Sequence, residues 1–312
     1  MDSLAIQKAY RKIIARFIVG ERELTVDAST GDTQITIKST RRFCPGEKVA
    51  IIDQATYEAE VMVIDAVIDQ RTLQFTTELI GDYEVTGNAS TTAIIRKLIG
   101  AENGTEAFIQ SIYLGDPEVI SHYPAITIDM KSRNSEWLTI ESTKETYNID
   151  ISVYVKAGDY GSQYELMHSY VNAIEQALFR SFYPLVDPYV TSTLTEDVDR
   201  NDILIRIDDS NTFECQGGWL WFENVDFLRW NQVRRYLGEG VYELIREVGQ
   251  EFSAGDTVIA PRRHIFNTLP ESTEFGTVNK GGGDGMIKAA RIKVIAQEEV
   301  WRRVPYIDSL TF

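Results

Sequence analysis

The stretch that most limits how this chain can fold is residues 123–182, where two alternating segments run directly into an amphipathic one. In YPAITIDM, Ile126, Ile128 and Met130 fall on one face and Thr127, Asp129 and Lys131 on the other, the period of a half-buried strand. Residues 147–156 repeat the pattern, with Ile149, Ile151, Val153 and Val155 on one side and Asp150, Ser152 and Tyr154 on the other. A turn, Gly158-Asp159-Tyr160-Gly161, follows. Ser162 and Glu165 then have capping-box spacing, which predicts a helix starting at Ser162 and reaching Phe182. Leu166, Met167, Tyr170, Val171, Ile174, Ala177, Leu178 and Phe182 form its apolar stripe, while Gln163, His168, Asn172, Glu175 and Gln176 stay off it. Such a helix needs a sheet to cover, and the two strands supply one. The pattern describes packing and nominates no chemistry.

The rest of the chain arranges itself around this unit. Residues 3–19 predict an amphipathic helix, ended by Gly20. Its stripe is Ile6, Ala9, Tyr10, Ile13, Ile14, Phe17 and Ile18, and its other face carries Lys8, Arg11, Lys12 and Arg16. It is expected to pack on the acidic body of its own chain or on a sister subunit. Residues 21–98 change texture to short strands with regular turns, expected to form a small all-β, barrel-like domain. One turn there, Phe43-Cys44-Pro45-Gly46-Glu47-Lys48-Val49, is echoed by Phe252-Ser253-Ala254-Gly255-Asp256-Thr257-Val258. Shared turn chemistry explains the echo more simply than a duplication. Thr105 is read as the cap of a short helix carrying Phe108, Ile109, Ile112 and Tyr113. After the long helix, residues 203–208 and 219–236 read as further strands, 261–285 as a long irregular loop, and 291–295 as a last strand, which could continue through 300–305. The expected fold is therefore α+β in three parts: an N-terminal helix at 1–20, the β domain at 21–98, and an α/β domain at 99–312.

Composition removes several function classes. A formal charge of −16 argues against a sequence-reading nucleic-acid binder, which would carry a basic face. No apolar run is long enough to predict a membrane span, and basic residues interrupt any leader-like core at the N-terminus. Cys44 and Cys215 lack metal-ligand spacing and read as buried or half-buried free thiols, with a disulfide as the alternative. The run Gly281-Gly282-Gly283-Asp284-Gly285 is followed by no Lys-Ser/Thr and is not a phosphate loop. Asp197, Asp199, Asn201 and Asp208 only partly match a calcium loop and read as a solvated acidic turn. His122, His168 and His264 have no nucleophile motif around them, and His168 is expected at the surface. The aromatics Trp219, Trp221, Phe222, Phe227 and Trp230 could stack on sugars but read first as core or interface. The sequence nominates no catalytic, cofactor-binding or metal-binding residue.

The succession of YPAITIDM, NIDISVYV and the helix YELMHSYVNAIEQAL resembles the tail terminator and tail-completion proteins of tailed bacteriophages, over residues 100–236. The resemblance implies an α-β-β-α-β-β unit that assembles into a homo-oligomeric ring, usually a hexamer, at the head-proximal end of the tail. Implied partners are the tail tube or sheath protein, a head–tail connector or adaptor, and genomic DNA crossing the lumen without specific binding. The implied location is the virion neck, after synthesis in the host cytoplasm, with no membrane, no cofactor and no enzymatic activity. The alternatives are another connector or adaptor ring, or a carbohydrate- or receptor-binding virion module. A wall rich in carboxylates would suit a DNA conduit, since it repels phosphate. The basic face of the first helix could then clasp an acidic neighbour.

Overall fold

The computed structural model describes residues 3–88, 91–100, 106–138, 142–156, 160–180, 189–208, 219–224, 228–261, 264–278 and 287–301. The chain is mixed α+β and mostly sheet. It opens with α1 (Ser3–Ile14), extended by a π-helical turn at Ala15–Val19. Six short strands follow: β1 (Arg22–Glu23), β2 (Gln34–Thr36), β3 (Lys48–Ile52), β4 (Ala59–Val67), β5 (Thr72–Phe75) and β6 (Ile94–Lys97). Three more, β7 (Ile99–Gly100), β8 (Glu106–Ala107) and β9 (Ser111–Leu114), lead to a long hairpin, β10 (Ala125–Trp137) and β11 (Ser142–Val155). Next come α2 (Tyr160–Arg180) and a second set of six strands: β12 (Tyr189–Thr193), β13 (Leu204–Arg206), β14 (Trp219–Glu223), β15 (Leu228–Gly238), β16 (Val241–Leu244) and β17 (Thr257–Pro261). The last two strands are β18 (His264–Val278) and β19 (Ile287–Trp301). Two compact units result, one of Met1–Ser135, Thr146–Phe182 and Asn267–Gln297, the other of Glu136–Glu145, Tyr183–Phe266 and Glu298–Phe312.

In the first unit, the two helices contact each other beside a sheet of order β18-β19-β11-β10-β9. The apolar stripe of α1 is buried within the chain at Ile6, Ala9, Tyr10, Ile13 and Ile14, and Lys8, Arg11 and Lys12 are exposed. The Tyr10 hydroxyl shares a 3.0 Å hydrogen bond with Thr268 of β18, and burial pushes its pKa up. The stripe of α2 is buried as its spacing predicts, at Leu166, Met167, Tyr170, Val171, Ile174, Ala177 and Leu178. Tyr170 donates to the Ala107 carbonyl at 2.7 Å.

Several sequence expectations are corrected. The long helix begins at Tyr160, so Ser162 lies in its first turn and not at its cap. The helix expected after Thr105 is instead β8 and β9, and β9 pairs in parallel with Ala125–Ile128 of β10. Ser-Ile-Tyr-Leu is a good strand sequence, and an open edge of β10 offers it a partner. The loop expected at 261–285 contains a fifteen-residue strand, β18. It lies at a sheet edge, where Pro270 need not donate to a ladder. The glycine run at 281–285 and the continuation at 302–305 lie outside the described residues. Finally, the strands at 203–208 and 219–236 do not join the α/β sheet. They build the second six-stranded sheet, and β18 and β19 take their place. Alternation identifies a strand but not its partner, which long-range topology decides. The order α-β-β-α-β-β is matched by α1, β10, β11, α2, β18 and β19 once the two six-stranded sheets and β7–β9 are set aside, and β9 adds a fifth, parallel strand to their sheet.

Those two sheets are copies of one fold. Their strand orders are β1-β6-β3-β4-β5-β2 and β12-β17-β14-β15-β16-β13, the same path in chain order. Each closes into a barrel where its edge strands meet, through the bridges Leu24↔Ile37 and Leu194↔Ile207. A second bridge recurs as Ala28↔Tyr83 and Val198↔Phe252. The ladder register slips at one equivalent point, between Ile64 and Ala66 in the first barrel and between Val233 and Arg235 in the second. Side chains repeat as well. Asp27 accepts from the Val85 amide at 2.6 Å and Asp197 from the Ala254 amide at 2.8 Å. Asp32 accepts from Ser29 N and Asp202 from Asp199 N, both at 2.8 Å.

The turn echo noticed in the sequence is a different matter. The Gly46 turn precedes β3, whereas the Gly255 turn precedes β17, the counterpart of β6. Each uses a carboxylate to hold an amide, Glu47 for Cys44 and Asp256 for Ser253, and each glycine has positive φ, 84° and 92°. Shared turn chemistry does account for that echo. The duplication is carried by other residues.

Candidate interaction surfaces

The residues weighed as sites are mostly occupied with structure. Asp197 holds a barrel turn, as its counterpart Asp27 does, and the Asp199 amide donates within the same turn. Among the described residues, no group of three or more His, Cys, Asp or Glu side chains could hold a metal ion. Cys44 is a free thiol but is exposed, against the expectation of burial, because it sits in the turn before β3; Cys215 lies outside the described residues. His122 stacks on Tyr57, with ring centroids 5.3 Å apart. His168 corrects the surface expectation: it is half-buried between Tyr164 and Phe275, at centroid distances of 4.3 and 4.4 Å. Its stripe position looked polar because β18, which supplies Phe275, was not legible as a strand.

The aromatic run divides between the two faces of its strand. Phe222 points into the second barrel and meets Phe252 at 5.6 Å. Trp221, on the opposite face, is only 2% exposed and stands across the ladder from half-buried Trp230. A buried indole offers no platform for a sugar ring. The side chain of Trp219 and residue Phe227 lie outside what is described.

The first barrel is tied down by a buried cation. Arg96 of β6 donates through Nε and Nη2 to Glu21 at 3.0 and 2.7 Å, and through Nη1 to the carbonyls of Ile109 and Gln110 at 2.6 and 2.9 Å. Beside it Ala50, Ile52 and Ile94 pack against Leu98 and Phe108. This fixes the barrel's outer face onto the segment that leads into β9. Sequence reading missed Arg96, because an arginine inside an apolar strand gives no sign of its partners.

The charged surface with the most structure is on the five-stranded sheet. Lys131 of β10, Asn148 and Asp150 of β11, Arg291 and Lys293 of β19 and Glu271 of β18 border one shallow depression. Asp150 is 8% exposed and lies 3.9 Å from Lys131 and 3.5 Å from Arg291. Lys131 also contacts Asp129 at 2.5 Å, and that hydrogen bond pushes its pKa up. Lys293 and Glu274 pair at 2.5 Å, which pushes the lysine up and the carboxylate down. Glu271 has no ion-pair partner among the described residues. Matched charges across neighbouring strands suit surface contact and stabilise the sheet. They do not present a nucleophile to a base. No protein-family model and no curated protein matches the chain.

Proposed function

We propose that this chain is a structural protein of the tailed-phage virion, a tail terminator that forms a homo-oligomeric ring at the neck and works without enzymatic chemistry. The observation that carries the reading is that α1, β10, β11, α2, β18 and β19 follow one another around one sheet in the order that the resemblance implies, with β9 as an added edge strand. On this reading the two barrels are additions to the terminator unit, one after each helix. They enlarge the surface available to the tail tube or sheath on one side and to a connector or adaptor on the other. The charge of −16 supports a conduit that DNA crosses without adhering. The exposed cations Lys8, Arg11 and Lys12 of α1 supply a basic strip for an acidic neighbour.

The test is assembly of phage particles with and without the protein. Tails built without it should grow beyond their set length and fail to join heads, and adding the purified protein should restore both. Normal tails in its absence would overturn the reading. Duplex DNA should show no salt-dependent retention on the purified protein.

A further inference from the structure

Among the described residues, no strand lies beyond either end of the five-stranded sheet. β18 lies at one end, and at the other β9 covers Ala125–Ile128 of β10 and none of its later described residues. Residues 131–138 are exposed at every position, and so are 271–272 and 274–277 of β18. An edge of this length is a row of amides and carbonyls ready to accept another strand, and a folded protein normally covers or blunts it. The two edges differ in charge. Residues 131–135, Lys-Ser-Arg-Asn-Ser, hold two cations and no acid; residues 271–277, Glu-Ser-Thr-Glu-Phe-Gly-Thr, hold two carboxylates and no cation. Lys131 and Glu271 border the same depression, so the opposite charges lie on one face of the sheet.

We propose that copies of this chain associate head to tail through these edges, residues 131–135 of one copy pairing with residues 271–275 of the next. Pairing β10 with β10 would set Lys131 and Arg133 against their own copies, and pairing β18 with β18 would do the same to Glu271 and Glu274. Lys131 and Glu274 are already paired within the chain, with Asp129 and Lys293, so the unlike pairing acts chiefly by bringing Arg133 toward Glu271. Such a contact is heterologous, so it closes into a ring when the rotation per copy fits and otherwise extends into a filament. The inference stands apart from the neck reading, since it concerns which edges meet, whatever particle the chain serves.

The experiment is sedimentation of the full chain as wild type, Arg133→Glu and Glu271→Lys, with circular dichroism to establish that each variant is folded. Wild type should associate with rising concentration, and each variant should associate roughly tenfold more weakly per contact, as expected when a cross-strand attraction becomes a repulsion. An equimolar mixture of the two variants should recover association. An Arg133→Glu edge meets a Glu271→Lys edge at one contact, and unaltered edges meet at the next. A wild type that stays monomeric at about millimolar concentration, folded variants that associate like wild type, or a mixture that recovers nothing would each overturn the proposal. A ring built on other surfaces would leave the neck reading to its own test.

Discussion

The two barrels share every ladder but only part of their interior: Leu24 with Leu194, Ile35 with Ile205 and Ile37 with Ile207 are kept, and most other core positions differ. Through equivalent registers Ile51 corresponds to Phe222, Leu73 to Tyr242, Phe75 to Leu244 and Tyr83 to Phe252. A larger side chain at one point is matched by a smaller one at another, so the filled volume is kept while its distribution changes. Met62 even corresponds to Asn231, which is 4% exposed and donates to the carbonyls of Arg246 and Glu247 at 2.8 and 3.2 Å. Beside those three apolar positions, the constant parts are polar, Asp27 with Asp197 and Asp32 with Asp202, together with the bulge. The carboxylates hold backbone amides whose loss inside a turn has no cheap substitute. Away from the closing strands, apolar volume is redistributed while the turn-holding carboxylates are kept.

The outer faces differ in the same spirit. Arg96 of the first barrel corresponds to Ile259 of the second, so the guanidinium clamp belongs to one copy alone. At the bulge, Gln74 donates to Asp65 at 3.3 Å, while the matching positions Glu243 and Arg234 form an ion pair at 3.1 Å that Arg235 joins.

Substitutions at paired positions can break this comparison. The largest effect is expected in the interior. Phe222→Ala should cost about 3–5 kcal/mol and Ile51→Ala about 2–5 kcal/mol. Chemical denaturation followed by hydrogen exchange in each barrel would show whether the two sites bear equal weight; a loss under 1 kcal/mol at either, well below the range for buried truncations, would remove it from the core. Next is Asn231→Met, which copies the first barrel's residue into the second. It should destabilise by about 1–3 kcal/mol, because two carbonyls lose their donor. A gain in stability would show that the amide is dispensable. Asp27→Ala and Asp197→Ala should each cost about 1–2 kcal/mol. Thermal melts that separate the two sharply would deny that the carboxylates have one role.

The smallest effect is electrostatic. The hydrogen bond from Arg235, with the charges of both arginines, holds Glu243 below the usual carboxylate value of 4.5. A depressed carboxylate stabilises the fold above its unfolded pKa, and that contribution disappears as pH falls through the folded value. Glu243→Gln should therefore flatten the acid side of the second barrel's stability profile and leave the first barrel's unchanged. An unaltered profile would mean that the pair adds nothing in water, as exposed pairs often do.

Much of the α/β layer was legible in the sequence. The stripes of α1 and α2 and the alternation of β10 and β11 follow from local period alone. The partners were not legible, since residues 203–208 alternate as well in a barrel as in a larger sheet. The duplication had a readable signal that the turn echo obscured. Leu24-Thr25-Val26-Asp27 and Leu194-Thr195-Glu196-Asp197 each lead, at identical spacing, to Asp32 or Asp202 and to the Ile35/Ile37 or Ile205/Ile207 pair. The echoed glycine turns drew attention to non-equivalent loops. The interaction surfaces were the least legible, because Arg96, Asp150 and Glu271 acquire meaning only from strands far away in the chain.

The strands by which the chain enters and leaves each barrel are hydrogen-bonded neighbours, β1 beside β6 and β12 beside β17. The chain therefore enters and leaves each barrel at adjacent points, as at the ends of an inserted cassette. Because these points lie side by side, a short linker could replace the whole cassette without separating the elements on either side of it. A lineage carrying this architecture could lose, exchange or multiply barrels at either position while the helices and the central sheet kept their connections. The two divergent interiors are what such independent tenancy would leave behind.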